Sequence, residues 1–321
     1  MLCYLPEPYP DELLYSVIAR YCTYMDLSIA RYGCSIFEKK NTLSLRADLP
    51  RSLQNVSDKT YFLWGLTSAE ILNKMTMYPY YEPFLPKNVI AEKKKGYIQG
   101  GHGAQHQIGV NSYRVSSPKF LRFCPVCRGQ DLEKFGETYW HRKHQLPGAL
   151  VCPEHFNPLI NSSAVNYPRQ RQCCDAIIFT SDDLTADTCL DANELFLAGM
   201  VAERCQNILL KKYKSQHMDN LAAVYRDAAL ERGFYKLPGI FSSKRFESAF
   251  MEFYGNSFLE KIGINIKSDW IRLIFYDNPS QPVHPLEHIL VQLYLEHMPV
   301  IASMHPFGRG PWKCPNPFGA H

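Results

Sequence analysis

FCPVCRGQDLEKFGETYWHRKHQLPGALVCPEH, residues 123–155, places a C-x2-C pair 24 residues ahead of a C-x2-H pair. Zinc takes four soft or borderline donors at tetrahedral corners, with Zn–S of about 2.3 Å and Zn–N of about 2.0 Å. CPVC offers two sulfurs from one tight turn, and CPEH closes the site from the other side. Cys124, Cys127, Cys152 and His155 therefore read as the ligands of one Zn2+. Proline follows the first ligand of each pair and restricts the turn before a metal arrives. Four protein donors leave no corner for an activated water, so the ion reads as structural. In so short a module the ion replaces a core the segment is too small to build.

Working outward, 321 residues at 46% hydrophobic suffice for two or three domains, each with a core. Eleven cysteines, an odd number scattered over a long chain, argue against a disulfide framework. Most of Cys3, Cys22, Cys34, Cys173, Cys174, Cys189 and Cys205 read as small buried hydrophobes. MLCYLPEPYPDE at the start lacks the basic opening and apolar middle of a signal peptide. HILVQLYL at 288–295 is about the longest apolar stretch, short of the roughly 18 residues that span a bilayer. A cytoplasmic, bacterial and nucleoid-associated protein without a membrane partner is the expectation.

The apolar periodicity is helical. DELLYSVIARYCTYM sets Leu14, Val17, Ile18 and Tyr21 on one face, with Asp11 as N-cap, and LSIARYGCSIF adds a second short helix. Such a pair is either a helix-turn-helix or the ordinary opening of a small α-domain. TSAEILNKMTM at 67–77 predicts a helix that runs into a proline- and aromatic-rich connector, YPYYEPFLP. NELFLAGMVAERCQNILLKKY and MDNLAAVYRDAALERGF read as amphipathic helices. SSKRFESAFMEFYG has serine caps, Phe246, Phe250 and Phe253 at helical spacing, and Gly255 as a stop. The fold class is mainly α with small zinc-ribbon or zinc-finger β elements, multi-domain, with helix-turn-helix-like segments.

A net charge of +4 does not by itself announce a nucleic-acid protein. Its distribution says more. Between Pro86 and Phe123 seven bases (Lys87, Lys93, Lys94, Lys95, Arg114, Lys119, Arg122) face one acid, whereas SDDLTADTCLDANE at 181–194 carries five acids and no base. The first strip is either a solvated loop, beside the glycine-rich GYIQGGHG, or a phosphate-binding face. Lys93, Lys94, Lys95, Arg114, Lys119, Arg122, Arg142, Lys143, Lys244 and Arg245 are the candidate DNA contacts, with the helix from Ser243 as the candidate groove reader. His141 and His144 read as part of a basic, partly exposed face, with a ligand role as the alternative.

Catalytic signatures are missing. His102 and His106 have no glutamate two places on, so the H-x-E of a nucleobase deaminase is absent. Neither an H-E-x-x-H helix, a G-x-x-x-x-G-K-[ST] loop nor a G-x-S-x-G elbow occurs. A zinc-dependent hydrolase or nuclease would have only Glu137 and Glu154 as carboxylates near its ion. GPWKCPNPFGAH offers Cys314 and His321, two donors that do not close a tetrahedron. They are a Pro/Gly tail or half of a second metal site, as in a chain truncated at its C-terminus.

DELLYSVIARY at 11–21, MTMYPYYEPFLP at 75–86 and RFCPVCRGQDLEKFGETYWHRKHQLPGALVCPEHFNPL at 122–159 together resemble the TniQ/TnsD family of transposon target selectors. The likeness covers roughly residues 6–160 and extends to the spacer GE-x-YW-x-R-x-H-x-LPG. ERGF at 231–234, SDWIRLIF and HPLEHILVQLYL resemble its later part more loosely, and GPWKCPNP the start of a further zinc motif in TnsD-type members. Those continue with more Cys/His ligands, whereas Phe318 and Ala320 supply none.

The resemblance implies a non-enzymatic adaptor that selects target DNA, recruits the AAA+ ATPase TnsC and so brings in the transposase. The alternative it allows is a TniQ-type adaptor riding on a guide-RNA CRISPR effector complex. The implied organisation is a helical TniQ domain over 1–115, a zinc module over 116–165 and an acidic linker over 166–195. A helix-turn-helix-like domain over 196–300 follows, then the start of a second zinc motif over 301–321.

Overall fold

The computed structural model describes residues 4–27, 47–100, 114–166, 175–178, 189–212, 221–237, 240–266, 269–276 and 283–301. Outside them lie Cys3, Cys34, Cys173 and Cys174, the second N-terminal helix from Ser28 on, His102 and His106, most of the acidic run, and the Cys314/His321 pair. The chain is mainly helical, with small strands beside the cysteines. Among the described residues no helix is long and apolar enough to cross a membrane.

Helix α1 (Leu14–Tyr24) is buried on every face from Leu14 to Cys22, so it runs through the core. Its N-cap is Leu13, not Asp11. Asp11 sits at φ 60°, and its carboxylate accepts from Arg142 Nε at 3.0 Å and the Lys143 backbone N–H at 3.1 Å. A buried guanidinium competes for the carboxylate more strongly than the end of α1 does.

Helix α2 (Leu53–Trp64) has no counterpart in the sequence reading. Helix α3 (Ser68–Met75) begins with a capping box between Thr67 and Glu70. The aromatic connector is itself helical: α4 (Tyr78–Tyr81), with all four residues buried, runs into a 3-10 turn at Glu82–Phe84. The lysine-rich stretch forms α5 (Lys87–Gln99), ended by Gly100 in the left-handed region.

Strands β1 (Phe120–Phe123) and β2 (Ile160–Val165) pair antiparallel, with Phe123 opposite Ile160, and enclose α6 (Pro125–Phe135) and α7 (Arg142–Gln145). Then come α8 (Ala192–Leu209), capped by Asp191, and α9 (Leu221–Glu231). A small antiparallel pair follows, β3 (Tyr235–Leu237) and β4 (Ile240–Phe241). The last helices are α10 (Ser243–Tyr254), α11 (Asn256–Lys261), α12 (Trp270–Leu273) and α13 (Pro285–His297). Helix α10 starts at Ser243 as predicted, but its N-cap Ser242 makes no side-chain cap bond.

One apolar cluster runs from Leu5 to Leu295, with α8 packed against both α4 and α13. Gly148 lets the cysteine segment close onto α13. Its φ is 85°, and a Cβ there would fall 2.4 Å from Leu286 Cδ1. That is why the LPG after the histidines ends in glycine. Cys22 and Cys205 are buried as expected, whereas Cys189 is exposed.

Candidate metal centre

Cys124 is the N-cap of α6, Pro125 occupies the first helical position and Cys127 follows within the same turn. A proline is tolerated there because that N–H has no helical acceptor. Both sulfurs thus sit at the helix N-terminus, where the macrodipole favours negative charge. The second pair lies on a tight turn: the Phe156 N–H donates to the Cys152 carbonyl at 2.8 Å, and the Cys152 N–H to the Asn157 carbonyl at 2.8 Å.

Cys127 Sγ lies 3.7 Å from Cys152 Sγ and 3.3 Å from His155 Nδ1. His155 Nδ1 is 3.5 Å from Cys152 Sγ and 3.7 Å from Cys124 Sγ, and all four donors fall within 4.8 Å of one another. Two sulfurs about 2.3 Å from a tetrahedral centre would be about 3.7 Å apart. The cysteines are buried and His155 is half-buried. Without a cation such a cluster must share protons: hydrogen bonds from Cys127 and Cys152 hold the Cys124 thiol down to about 3, and Cys127 is driven up in compensation. A divalent cation would let all three ionise. The donor set and its spacing fit a metal ion.

His144 and His141 are not on an exposed basic face. His144 is fully buried with Nε2 3.6 Å from Cys127 Sγ, an outer contact to a donor sulfur. His141 is buried, pairs through Nε2 with Asp131 at 2.8 Å and stacks on Tyr139 at 4.2 Å. Gln145 joins α7 to β1, accepting from the Arg122 N–H at 2.8 Å and donating to its carbonyl at 2.6 Å. These positions fall in the spacer between the ligand pairs, where Glu137, His141, Arg142, Lys143 and His144 are legible as candidates from the sequence. Nothing in the sequence distinguished Asp131 or Gln145.

The cluster is seated on the N-terminal part by buried charge. Arg20 donates to Glu12 at 2.9 Å and to Glu137 at 2.7 Å, with its guanidinium 4.2 Å over the Tyr9 ring. Arg142 ties Asp11 to the end of α3, donating to the Asn73 and Thr76 carbonyls at 2.8 and 3.2 Å. Glu154 pairs with Lys143 at 2.6 Å and accepts from Gln206 at 3.1 Å.

The basic candidates divide by burial. Arg114 lies in the core with its Nε 2.9 Å from Glu287, and Arg122 is buried against the Leu146 carbonyl. Lys93, Arg142 and Lys143 are buried as well. These five side chains therefore lie inside the fold and not on the surface where a phosphate strip was expected: Lys93, Arg114, Arg142 and Lys143 face carboxylates, whereas Arg122 is held by a backbone carbonyl. Lys94 is half-buried and pairs with Glu82. Lys95, Lys119, Lys244 and Arg245 are exposed.

The TniQ family profile matches residues 3–159, and a second, Tn7-like transposition protein D, matches residues 201–321. The transposon Tn7 transposition protein TnsD of Escherichia coli is 28% identical over 151 residues, which take in 47% of this chain and 30% of that protein. The chain thus aligns with under a third of the length of the curated relative it matches.

Proposed function

Because the chain belongs to the TniQ/TnsD family, we propose that it is a non-enzymatic target-selection adaptor of a transposon. It binds a defined site on duplex DNA and recruits the AAA+ ATPase TnsC, which calls in the transposase. The observation that carries this reading is the tandem of matches, a TniQ segment and a TnsD-type segment on one chain. A shorter adaptor riding on a guide-RNA complex has less use for the second segment.

The donor cluster supports an adaptor. Its ion is Zn2+ in this reading, as three sulfurs and an imidazole at tetrahedral spacing suit zinc. With four protein donors there is no corner for a reacting water, and Glu137 and Glu154 are both engaged in ion pairs. Zinc-assisted hydrolysis therefore lacks its nucleophile. The ion staples the knuckles to β1 and α6 and holds a scaffold for partners.

Exposed Lys95, Lys119, Lys244 and Arg245 supply phosphate contacts. Helix α10 offers Lys244 and Arg245 in its first turn while Phe246 and Phe250 anchor the opposite side in the core. Such a helix, held from behind, is the element that enters a major groove. The test starts by selecting duplexes from a random pool, then titrates the winner against salt. Site-specific binding should fall steeply as salt rises, and Lys119→Ala should lower the slope of log K against log salt by about one. A TnsC pulldown with and without nucleotide and DNA completes it. Equal affinity for every duplex, together with copurification of a guide-RNA effector, would establish the rival instead.

A further inference from the structure

The ring of His144 reaches the donor cluster without being one of its four ligands. The residue is fully buried, and its Nε2 lies 3.6 Å from Cys127 Sγ while also bonding the Cys152 sulfur. Nδ1, equally buried, has no hydrogen-bond partner. An imidazole carries at least one ring proton, and a proton on Nδ1 would be a buried donor with nothing to accept it. The proton therefore sits on Nε2, where two sulfurs face it. The same placement excludes ligation through Nε2. A ligating nitrogen needs its lone pair free and passes the proton to the other ring nitrogen, where a carboxylate, carbonyl or water normally accepts it.

The cluster has a use for such a donor. Three thiolates against one divalent cation leave a single negative charge in excess, enclosed by protein, where charge is costly. Cys124 Sγ accepts from the Val126 and Cys127 backbone N–H groups at the start of α6, whereas Cys127 and Cys152 share His144. Cys127 also lines a cleft of about 260 Å3 beside Asp131, Lys134 and Tyr139, the side from which a small electrophile would reach its sulfur. The imidazole is held in place by its neighbours on α7. Arg142 and the Lys143 N–H both bond Asp11, and Gln145 bonds the N–H and the carbonyl of Arg122.

We propose that His144 is the outer hydrogen-bond donor of the metal centre, its Nε2–H shared between the sulfurs of Cys127 and Cys152. It offsets part of their excess charge, so the donors keep their ion longer and react more slowly with electrophiles. This rests on the zinc reading above and makes His144 a positioning residue.

The full-length zinc-loaded protein would be compared with His144→Leu, which keeps most of the bulk and loses the N–H, and His144→Gln, whose amide restores an N–H near the same point. His144→Leu should hold its ion about 10- to 100-fold more weakly in competition with a chelating dye. Iodoacetamide should also alkylate Cys127 and Cys152 faster in this variant while Cys124 keeps its wild-type rate, and His144→Gln should restore both properties. Cobalt-substituted His144→Leu should retain the tetrahedral spectrum of the wild type. Wild-type rates in His144→Leu, acceleration at all three cysteines alike, or a His144→Gln as labile as His144→Leu would each overturn the assignment and leave the zinc reading standing. A changed cobalt spectrum would overturn it by making His144 a ligand. A wild type that retains no metal would overturn both. If leucine prevents folding, the wild type loaded with an NMR-active cadmium isotope answers alone: coupling between the metal and the His144 Nε2–H across a sulfur is expected, and its absence would refute the donor.

Discussion

The segment from β1 to β2 and the bundle of α10 to α13 are held together in opposite ways. The first buries Arg122, Asp131, His141, Arg142, Lys143, His144 and Gln145 and converges on four metal donors. The second is a stack of rings: Phe250 lies 5.5 Å from both Trp270 and Tyr294, and Phe246 5.2 Å from Tyr294. Apolar burial is non-directional and has no single failure point. A polar interior built around four donors has one if they hold the proposed ion, and that ion would be removable.

The largest effect should therefore come from the metal. Structural zinc sites contribute on the order of 10 kcal/mol of apparent folding free energy. Chelation, or Cys127→Ser, should abolish amide-exchange protection across 120–165 while α10 and α13 keep theirs. Unchanged protection around Cys124 and Cys152 would show that the segment does not depend on its ion. Simultaneous loss in both regions would mean that the Gly148–Leu286 contact fuses them into one cooperative unit.

Truncation of a ring is the matching perturbation on the other side. Phe250→Ala removes a fully buried aromatic at the centre of the stack and should cost about 3 to 5 kcal/mol by denaturant titration, with zinc content unchanged. A loss of metal in this variant would erase the contrast.

Acid should separate the regions further. Burial, the first cause, pushes His284 and His288 down from 6.5 to about 3, helped by the Arg114 guanidinium, with the Glu287 carboxylate and Tyr225 hydroxyl beside them. For a base depressed in the fold, the unfolded chain binds the extra proton below pH 6.5. Stability is thus complete above that pH and declines as pH falls towards 3. By pH 5.5 the two imidazoles together should lose about 2 to 3 kcal/mol, of which Glu287 returns about 2, since burial raises its carboxyl to about 7 and the fold takes up that proton before the unfolded chain does; the net decline should therefore steepen only below about pH 5. His288→Phe should flatten this slope. An equally steep slope in the variant would assign the acid sensitivity to the protonation of the cysteines instead.

The four donors and α10 were legible because their signals are local: short ligand spacings in one case, apolar period and a glycine stop in the other. What escaped was decided by distant partners. Asp11 resembles an N-cap until Arg142, 131 residues on, takes its carboxylate. Lys93, Arg114 and Arg122 look like a phosphate strip because composition does not reveal burial, and the partner of Arg114, Glu287, lies in the last helix described. Helix α2 was invisible for a related reason. Only four of its twelve residues are buried, so it shows little apolar stripe.

The smallest effect tests the border between the regions, at the two ends of α3. Its N-terminus is capped by neighbours in sequence. Thr67 Oγ1 accepts from the Glu70 N–H at 3.3 Å, and the Glu70 carboxylate accepts from the Thr67 N–H at 3.0 Å. Its C-terminal carbonyls, at Asn73 and Thr76, are instead capped by Arg142 from the metal segment. Thr67→Ala should cost about 1 kcal/mol and fray only the first turn, whatever the state of the ion. Chelation should loosen the last turn and leave the first protected. Exchange rates for the Ile71 amide, in the first turn, and the Met75 amide, in the last, read in both experiments, decide whether α3 belongs to its own capping box or to the metal. A loss of several kcal/mol in Thr67→Ala would mean that the helix transmits strain through Arg142 into the donor cluster, and the division drawn between ion-held and ring-held regions would have to include α3 on the ion's side.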